Sequence, residues 1–160
     1  MFVFGLSYNG DFEDRAGELG VESQKVGEML DECLKSIPGA GELFAWFGDW
    51  PSFHDAEILS LTLNRNGTST LRIHTWRMTS QVDERGYYVL EKHVRISFQL
   101  REISGLDLED FNAQNVIDGL DLRRVGDGFQ LDLGPCYGLT GSISARDLSI
   151  EFEPVSEGEQ

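Results

Sequence analysis

The sequence predicts an α+β domain in which an N-terminal amphipathic helix packs on an antiparallel β-sheet of about five to eight strands. Two patterns support this prediction: apolar residues recur every three or four positions between Glu22 and Ile37, and they alternate with polar residues after Asp55. The 160 residues are 40% hydrophobic, which is enough for one sizeable core. We therefore expect a single domain over residues 1–160, with its sheet between residues 55 and 154.

The helix predicted over residues 22–37 is defined by one apolar stripe. Its members are Val26, Met29, Leu30, Cys33, Leu34 and Ile37. Pro38 and Gly39 end the helix, because the residue before a proline disfavours helix and glycine permits the chain to leave it. For residues 1–20 a short strand or ordered arm and a frayed segment are equally compatible with the sequence, and the choice is left open, whereas residues 156–160 are expected to form a solvated tail.

A dense aromatic cluster follows, and it predicts a short second helix. The cluster comprises Leu43, Phe44, Trp46 and Phe47, and it is closed by Gly48 and Pro51. The hydrophobic period then changes to two. One strand places Leu59, Leu61 and Leu63 on one face, Asn66-Gly67 supplies a tight turn, and residues 71–78 return as the partner strand of a β-hairpin.

The clearest alternation lies between Leu90 and Arg101. Its apolar face comprises Val94, Ile96, Phe98 and Leu100, and its wet face comprises His93, Arg95, Ser97, Gln99 and Arg101. The same pattern recurs at Phe129, Leu131 and Leu133, after a turn at residues 126–128, and at Leu148, Ile150 and Phe152. One buried and one wet face favour an antiparallel sheet over a parallel sheet covered on both faces.

The charge is strongly acidic and unevenly distributed. Thirteen basic and 28 acidic residues give a net charge of -15, which repels nucleic acid and anionic membranes. Residues 65–101 nevertheless carry seven basic and three acidic side chains, whereas residues 102–122 carry six acidic side chains and no basic one. The acidic segment would suit a basic protein partner, although such charge also simply keeps proteins in solution.

Several classes of protein are disfavoured by what the sequence lacks. It contains no apolar run long enough to span a membrane and no secretory signal, so we expect a cytoplasmic protein. Cys33 and Cys136 lack a neighbouring cysteine and are interpreted as free thiols. Known phosphate-loop, nucleophile-elbow, EF-hand and zinc-protease motifs are missing, and His54, His74 and His93 lack metal-ligand spacing. We therefore predict no catalytic residues, no metal and no cofactor.

One segment, residues 50–57, departs from ordinary strand chemistry because it combines two aromatic rings, an imidazole and two carboxylates. His54 and Asp55 could act as a base and its orienting group, but neighbours on a strand point to opposite faces. The alternative is structural: Ser52 or Asp55 fixes the turn through backbone amides while Trp50 and Phe53 anchor it in the core. We favour the structural interpretation.

Four segments of the chain resemble the immunity protein 50 family of bacterial polymorphic toxin systems. They read FGDWPSFHDAEILSLTLNR, TLRIHTW, ISGLDLEDFNAQNVIDGL and ARDLSIEFEP, and the resemblance spans about residues 43–154. The family motif falls on Trp50, Pro51, His54 and Asp55. The resemblance implies a small cytoplasmic protein that binds a cognate toxin domain and keeps it inactive without catalysis.

This resemblance makes a toxin-neutralising protein the preferred hypothesis, with a basic nuclease as one candidate toxin. A small-molecule-binding β-domain is the alternative, followed by a hydrolase or metal enzyme. For the partner-binding surface the acidic segment predicts Asp107, Glu109, Asp110 and Asp118, exposed on loops beside the sheet. The competing surface is the wet face that carries His93, Arg95, Gln99 and Arg101, which would suit an acidic partner. Oligomeric state is left open.

Overall fold

A computed structural model of the protein describes residues 31–156. Two helices come first, α1 (Glu32–Lys35) and α2 (Ala40–Phe47). Six strands follow: β1 (Ala56–Thr62), β2 (Ser69–Val82), β3 (Tyr88–Glu109), β4 (Val116–Val125), β5 (Gly128–Tyr137) and β6 (Thr140–Pro154). The predictions for residues 1–20 and for most of the helix over 22–37 lie outside the described residues, as does the tail after residue 156.

The six strands form a closed barrel in the order β1-β2-β3-β6-β5-β4, and every neighbouring pair is antiparallel. The antiparallel sheet of five to eight strands is thus confirmed. The two long strands β3 and β6 run through both halves of the barrel. β2 pairs with β3 only up to Leu100, and β5 pairs with β6 only up to Ala145. We call β1, β2 and the parts of β3 and β6 beside them the first half. The second half comprises β4, β5 and the remaining parts of β3 and β6.

Alternating apolar side chains fill the barrel interior. Val94, Ile96, Phe98 and Leu100 are fully buried, as the alternation of β3 predicts. The predicted inward residues of β5 and the first two of β6 are buried as well: Phe129, Leu131, Leu133, Leu148 and Ile150. Because these side chains pack together in one cluster, the space inside the barrel is occupied by protein rather than by a ligand cavity.

The first hairpin forms where it is predicted, but the buried face of β1 differs from the prediction. Leu59 and Leu63 are exposed, whereas Ile58 is buried. A β-bulge between Ile58 and Ser60 shifts the register, so that Leu61 lies opposite Leu71 while Leu59 points outward. One extra residue in a strand reverses the alternation beyond it, and the sequence period alone does not reveal it.

The second predicted helix is confirmed as α2, which ends at Gly48 in the left-handed conformation (φ 100°). Its buried residues Leu43 and Phe47 belong to the barrel core. The ring centroid of Trp46 lies 5.6 Å from that of Phe152 on β6. Lys92 joins the helix to β3, because its Nζ donates to the carbonyl oxygens of Trp46 (2.9 Å) and Phe47 (3.0 Å).

The segment between the helices is fixed tightly against β6. The Ile150 amide donates to the Pro38 carbonyl over 2.8 Å, and Ile37 is buried in the core. Gly39 adopts a φ of 88° so close to β6 that a Cβ there would overlap the Ile150 carbonyl oxygen. Across residues 31–156, no helix combines the length and apolar character required to cross a membrane.

Candidate functional site

The four predicted partner-binding carboxylates are all exposed, but not where they were expected. Asp107 and Glu109 lie on β3 and Asp118 on β4, so the prediction that these acids sit on loops is wrong for three of them. Asp110 alone among the four lies in the connection between the two strands. The error arises because Gly105 and Gly119 resemble turn residues in sequence, whereas both lie within strands that contain bulges.

Sheet register joins these residues to two further carboxylates on the outer face of the second half. Asp107 lies opposite Ser142, Ser142 opposite Asp132, and Asp132 opposite Asp121. We call the outward-facing carboxylates of this face, together with the adjoining Asp110, the acidic face: Asp107, Glu109, Asp110, Asp118, Asp121 and Asp132. Asp132 is half-buried and the other five are exposed. Asp107 and Asp121 are three strands apart, which corresponds to about 14 Å.

Asp132 is held in place on the acidic face by two neighbouring side chains. Its Oδ2 lies 3.1 Å from Nε of Arg123, and its Oδ1 accepts a hydrogen bond of 2.7 Å from the Gln130 amide. Asp121 and Asp132 were not among the predicted residues. Their alternation with inward leucines could have shown that they point outward, but only the pairing of β4, β5 and β6 shows that they join Asp107 on one face.

His54 of the family motif lies at the edge of this acidic face. Its Nδ1 is 2.7 Å from Oδ1 of Asp118, and its Nε2 is 3.5 Å from Oδ2 of Asp55. We call His54, Asp55 and Asp118 the histidine corner. The side chains of His54, Asp55 and Asp118 are 55%, 47% and 64% exposed. The imidazole of His54 is therefore open to solvent, while the His54 amide donates to Ser52 Oγ (3.4 Å), the kind of backbone contact that the structural interpretation assigns to Ser52.

The backbone around His54 explains how a buried segment presents an exposed imidazole. Phe53 and Asp55 have φ values of 56° and 59°, in the left-handed region that side chains other than glycine rarely adopt. Phe53 is only 1% exposed and packs against Trp50 and Phe98, with ring centroids 6.0 and 6.1 Å away. Because the chain turns on both sides of His54, its ring reaches Asp55, which an extended strand would not allow.

Two neighbouring carboxylates raise the pKa of His54 above its ordinary value. The hydrogen bond to Asp118 is the larger cause, and the negative charge of Asp55 is the next. Both favour the protonated imidazole, and the small degree of burial opposes them only weakly. A protonated His54 offsets part of the negative charge at this end of the acidic face.

A second histidine cluster lies on the outer face of the first half. His74 on β2 bridges two strands: its Nδ1 lies 3.2 Å from Oε2 of Glu57, and its Nε2 lies 3.2 Å from Nδ1 of His93. The ring centroid of Trp76 lies 5.3 Å from that of His74 and 5.6 Å from that of His93. Burial, followed by the nearby His74, lowers the pKa of His93. His93 therefore belongs to an internally bonded cluster rather than to a freely available wet face.

The remaining members of the competing wet face are also engaged. The Gln99 amide accepts from Thr70 Oγ1 (2.8 Å) and donates to Glu151 (3.3 Å), and Nε of Arg101 donates to Thr68 (3.3 Å). Within residues 31–156, no group of three or more histidine, cysteine or carboxylate side chains is arranged to hold a metal ion. Both Cys33 and Cys136 are free thiols.

Comparison with known proteins places the chain in a family. The family model described as Immunity protein 50 matches residues 40–152, which is more than half of the chain and includes α2, all of β1 to β5 and most of β6. Neither a curated protein nor a solved structure matches the chain. The matched range contains the histidine corner and the whole acidic face.

Proposed function

Because the chain belongs to the immunity protein 50 family, we propose that it is a non-catalytic immunity protein of a bacterial polymorphic toxin system. It acts in the cytoplasm, where it binds a cognate toxin domain and keeps that domain inactive. The acidic face carries this proposal, because its six carboxylates lie on or beside paired strands and outnumber the one basic side chain, Arg123, that pairs with Asp132 among them. A surface of this kind suits a basic protein partner.

A basic nuclease is the toxin class that this charge fits best. Nucleases carry basic surfaces because they bind phosphate backbones, and an acidic inhibitor both accelerates their encounter and covers the surface that the substrate needs. Neutralisation then requires no chemistry by the inhibitor. It requires an interface of about 800 Å² on each partner, which is larger than the row from Asp107 to Asp121 alone.

We place the centre of the interface on Asp107, Glu109, Asp110 and Asp118, with Asp121 and Asp132 between them. These side chains lie on or next to paired strands, so binding costs little backbone entropy. The small-molecule alternative has weaker support, because the apolar space inside the barrel is filled by side chains such as Phe98 and Leu131.

The test uses the toxin domain encoded next to this protein in its genome. Co-expression of the two chains should restore growth that the toxin alone abolishes, and the purified proteins should form a stable complex. A variant of the acidic face, Asp107→Lys combined with Asp121→Lys, should fold but protect the cells poorly. Growth rescue without complex formation, or full protection by that variant, would contradict the proposal.

A further inference from the structure

We infer that a cleft on the side of the barrel binds the phosphate group of a small molecule. The cleft lies between the α1–α2 connection, β3, the β4–β5 turn and β6, and its volume is about 370 Å³. Three guanidinium groups line it, from Arg101, Arg124 and Arg146. This site is separate from the acidic face and does not depend on the proposed function.

The three arginines are distant in sequence and come from three strands. Arg101 lies on β3, Arg124 near the end of β4, and Arg146 on β6. Of the three, Arg101 alone belongs to the segment of residues 65–101, in which basic side chains outnumber acidic ones. The fold brings the three together because β3 pairs with β6, and because the β4–β5 turn leads into β5 beside Ala145 and Arg146 of β6.

Each guanidinium is oriented by a contact that leaves donors for a ligand. Arg124 lies over the Phe129 ring at 5.0 Å, and its Nη1 donates to Ser36 Oγ (3.2 Å). Nη1 of Arg146 lies 3.4 Å from an exposed carboxylate oxygen of Glu102. These contacts engage one nitrogen of each group, as does the Arg101 contact to Thr68, and a guanidinium carries five N–H donors.

The charge balance of the cleft favours an anion that can accept hydrogen bonds from several directions. Two carboxylates, Asp127 and Asp147, line the cleft with the three arginines, so its lining carries one more positive than negative charge, with Glu102 outside the lining against Arg146. Asp147 is the cross-strand partner of Arg101, so its negative charge offsets the charge of Arg101 more than that of Arg124 or Arg146. A tetrahedral phosphate can accept from Arg124 and Arg146 at once, since arginine forks match phosphate oxygens.

The size of the cleft indicates that the phosphate is attached to something larger. A cleft of a few hundred cubic ångströms holds a small organic molecule, whereas a free phosphate fills only a fraction of it. Gln99 and Ser149 line the cleft and can bond neutral polar groups of the ligand. The same chemistry could be supplied by inorganic phosphate, so the experiment separates these two sources.

Calorimetric titrations of the full chain at low ionic strength test the inference with three probes: inorganic phosphate, a nucleoside monophosphate and the uncharged nucleoside. The phosphate-bearing probes should bind at millimolar concentration or below, and the nucleoside should not bind. Arg124→Gln combined with Arg146→Gln should weaken binding by at least about tenfold. Arg124→Gln alone should also weaken binding. Arg123→Gln is its matched control, because it removes the same charge one residue away, where Arg123 contacts Asp132 on the acidic face.

Tighter binding of the nucleotide than of phosphate supports an attached phosphate, and equal binding assigns the site to the free ion. Absence of binding by both charged probes overturns the inference. Equal losses in the Arg123→Gln and Arg124→Gln variants would also overturn it, because general charge and not the cleft would then explain the binding. Amide shifts confined to the strands that line the cleft would place the ligand there.

Discussion

His54 Nδ1 lies 2.7 Å from Oδ1 of Asp118, a residue 64 positions further along the chain. The contact joins the connection before β1 to β4, next to the pairing of Ala56 with Ile117 through which these strands close the barrel. It also joins the family motif to the proposed toxin-binding surface, because Asp118 belongs to the acidic face. The motif histidine therefore lies where a partner of the acidic face would reach it.

The pKa values of His54 and His93 should lie on opposite sides of 6.5, the ordinary pKa of histidine. We expect the pKa of His54 above that value, because of Asp118 and Asp55, and the pKa of His93 below it, because of burial and His74. Side-chain NMR of the histidine rings over a pH series measures both. Asp118→Asn should lower the pKa of His54 and leave that of His93 unchanged. The reverse order of the two values would contradict the described geometry.

Replacing His54 should cost little stability, and the cost should depend on pH. Its raised pKa means that its contribution is fully present below 6.5 and disappears as pH rises through the folded-state value. Because His54 and Asp118 are exposed, we expect His54→Ala to lower the free energy of unfolding by less than about 1 kcal/mol at low pH. Urea unfolding at several pH values measures this difference.

Phe53→Ala is the matched control for His54→Ala. Phe53 is the neighbour of His54 but is 1% exposed, so its removal leaves a cavity and should cost about 3 to 5 kcal/mol at every pH. A loss of about 1 to 3 kcal/mol for His54→Ala at every pH would instead show that this motif residue serves the fold.

Charge reversal on the acidic face should slow association with the toxin. Asp107→Lys combined with Glu109→Lys should lower the association rate constant by about tenfold at low salt and reduce its salt dependence. Glu151→Lys combined with Glu153→Lys makes the same charge change on β6 in the first half and should have a much smaller effect. Stopped-flow or surface-based kinetics at two salt concentrations measures both variants.

The competing wet face predicts a different result in the same assay. If the toxin presents an acidic patch, Arg95→Glu should slow association while the Asp107 and Glu109 variant associates as fast as the natural protein. Such a result would transfer the interface from the second half to the first. Circular dichroism of each variant checks that its fold is intact.

Two glycines at the start of α2 should respond oppositely to alanine. Gly39→Ala should destabilise the protein by about 2 to 4 kcal/mol, because Gly39 has a φ of 88° and a Cβ would overlap the Ile150 carbonyl oxygen. Gly41 lies within the helix, and apart from its chain neighbours and the helix's own backbone, no described atom lies within 4 Å of the position that a Cβ would occupy there. Gly41→Ala should therefore stabilise the protein by about 0.5 to 1 kcal/mol. Thermal unfolding of the two variants measures the contrast. Equal effects would show that α2 does not approach β6 as described.

Local patterns in the sequence determined most of the secondary structure. The alternation of Val94, Ile96, Phe98 and Leu100 predicted the buried face of β3, and it did so because side chains of a strand alternate whatever the strand pairs with. Gly48 likewise predicted the end of α2, since a left-handed residue after a helix favours glycine. The family resemblance also followed from short segments, and the family match over residues 40–152 confirms it.

Tertiary structure alone decided which side chains meet. The β-bulge in β1 turned Leu59 outward, and the left-handed backbone at Phe53 and Asp55 exposed His54; neither leaves a periodic signal in the sequence. The register of β3, β6 and β5 placed Asp132 on the same face as Asp107, and barrel closure brought Asp118 to His54. Such contacts depend on pairings between distant residues, whose free energies are set by the packing of the whole barrel and not by any one segment.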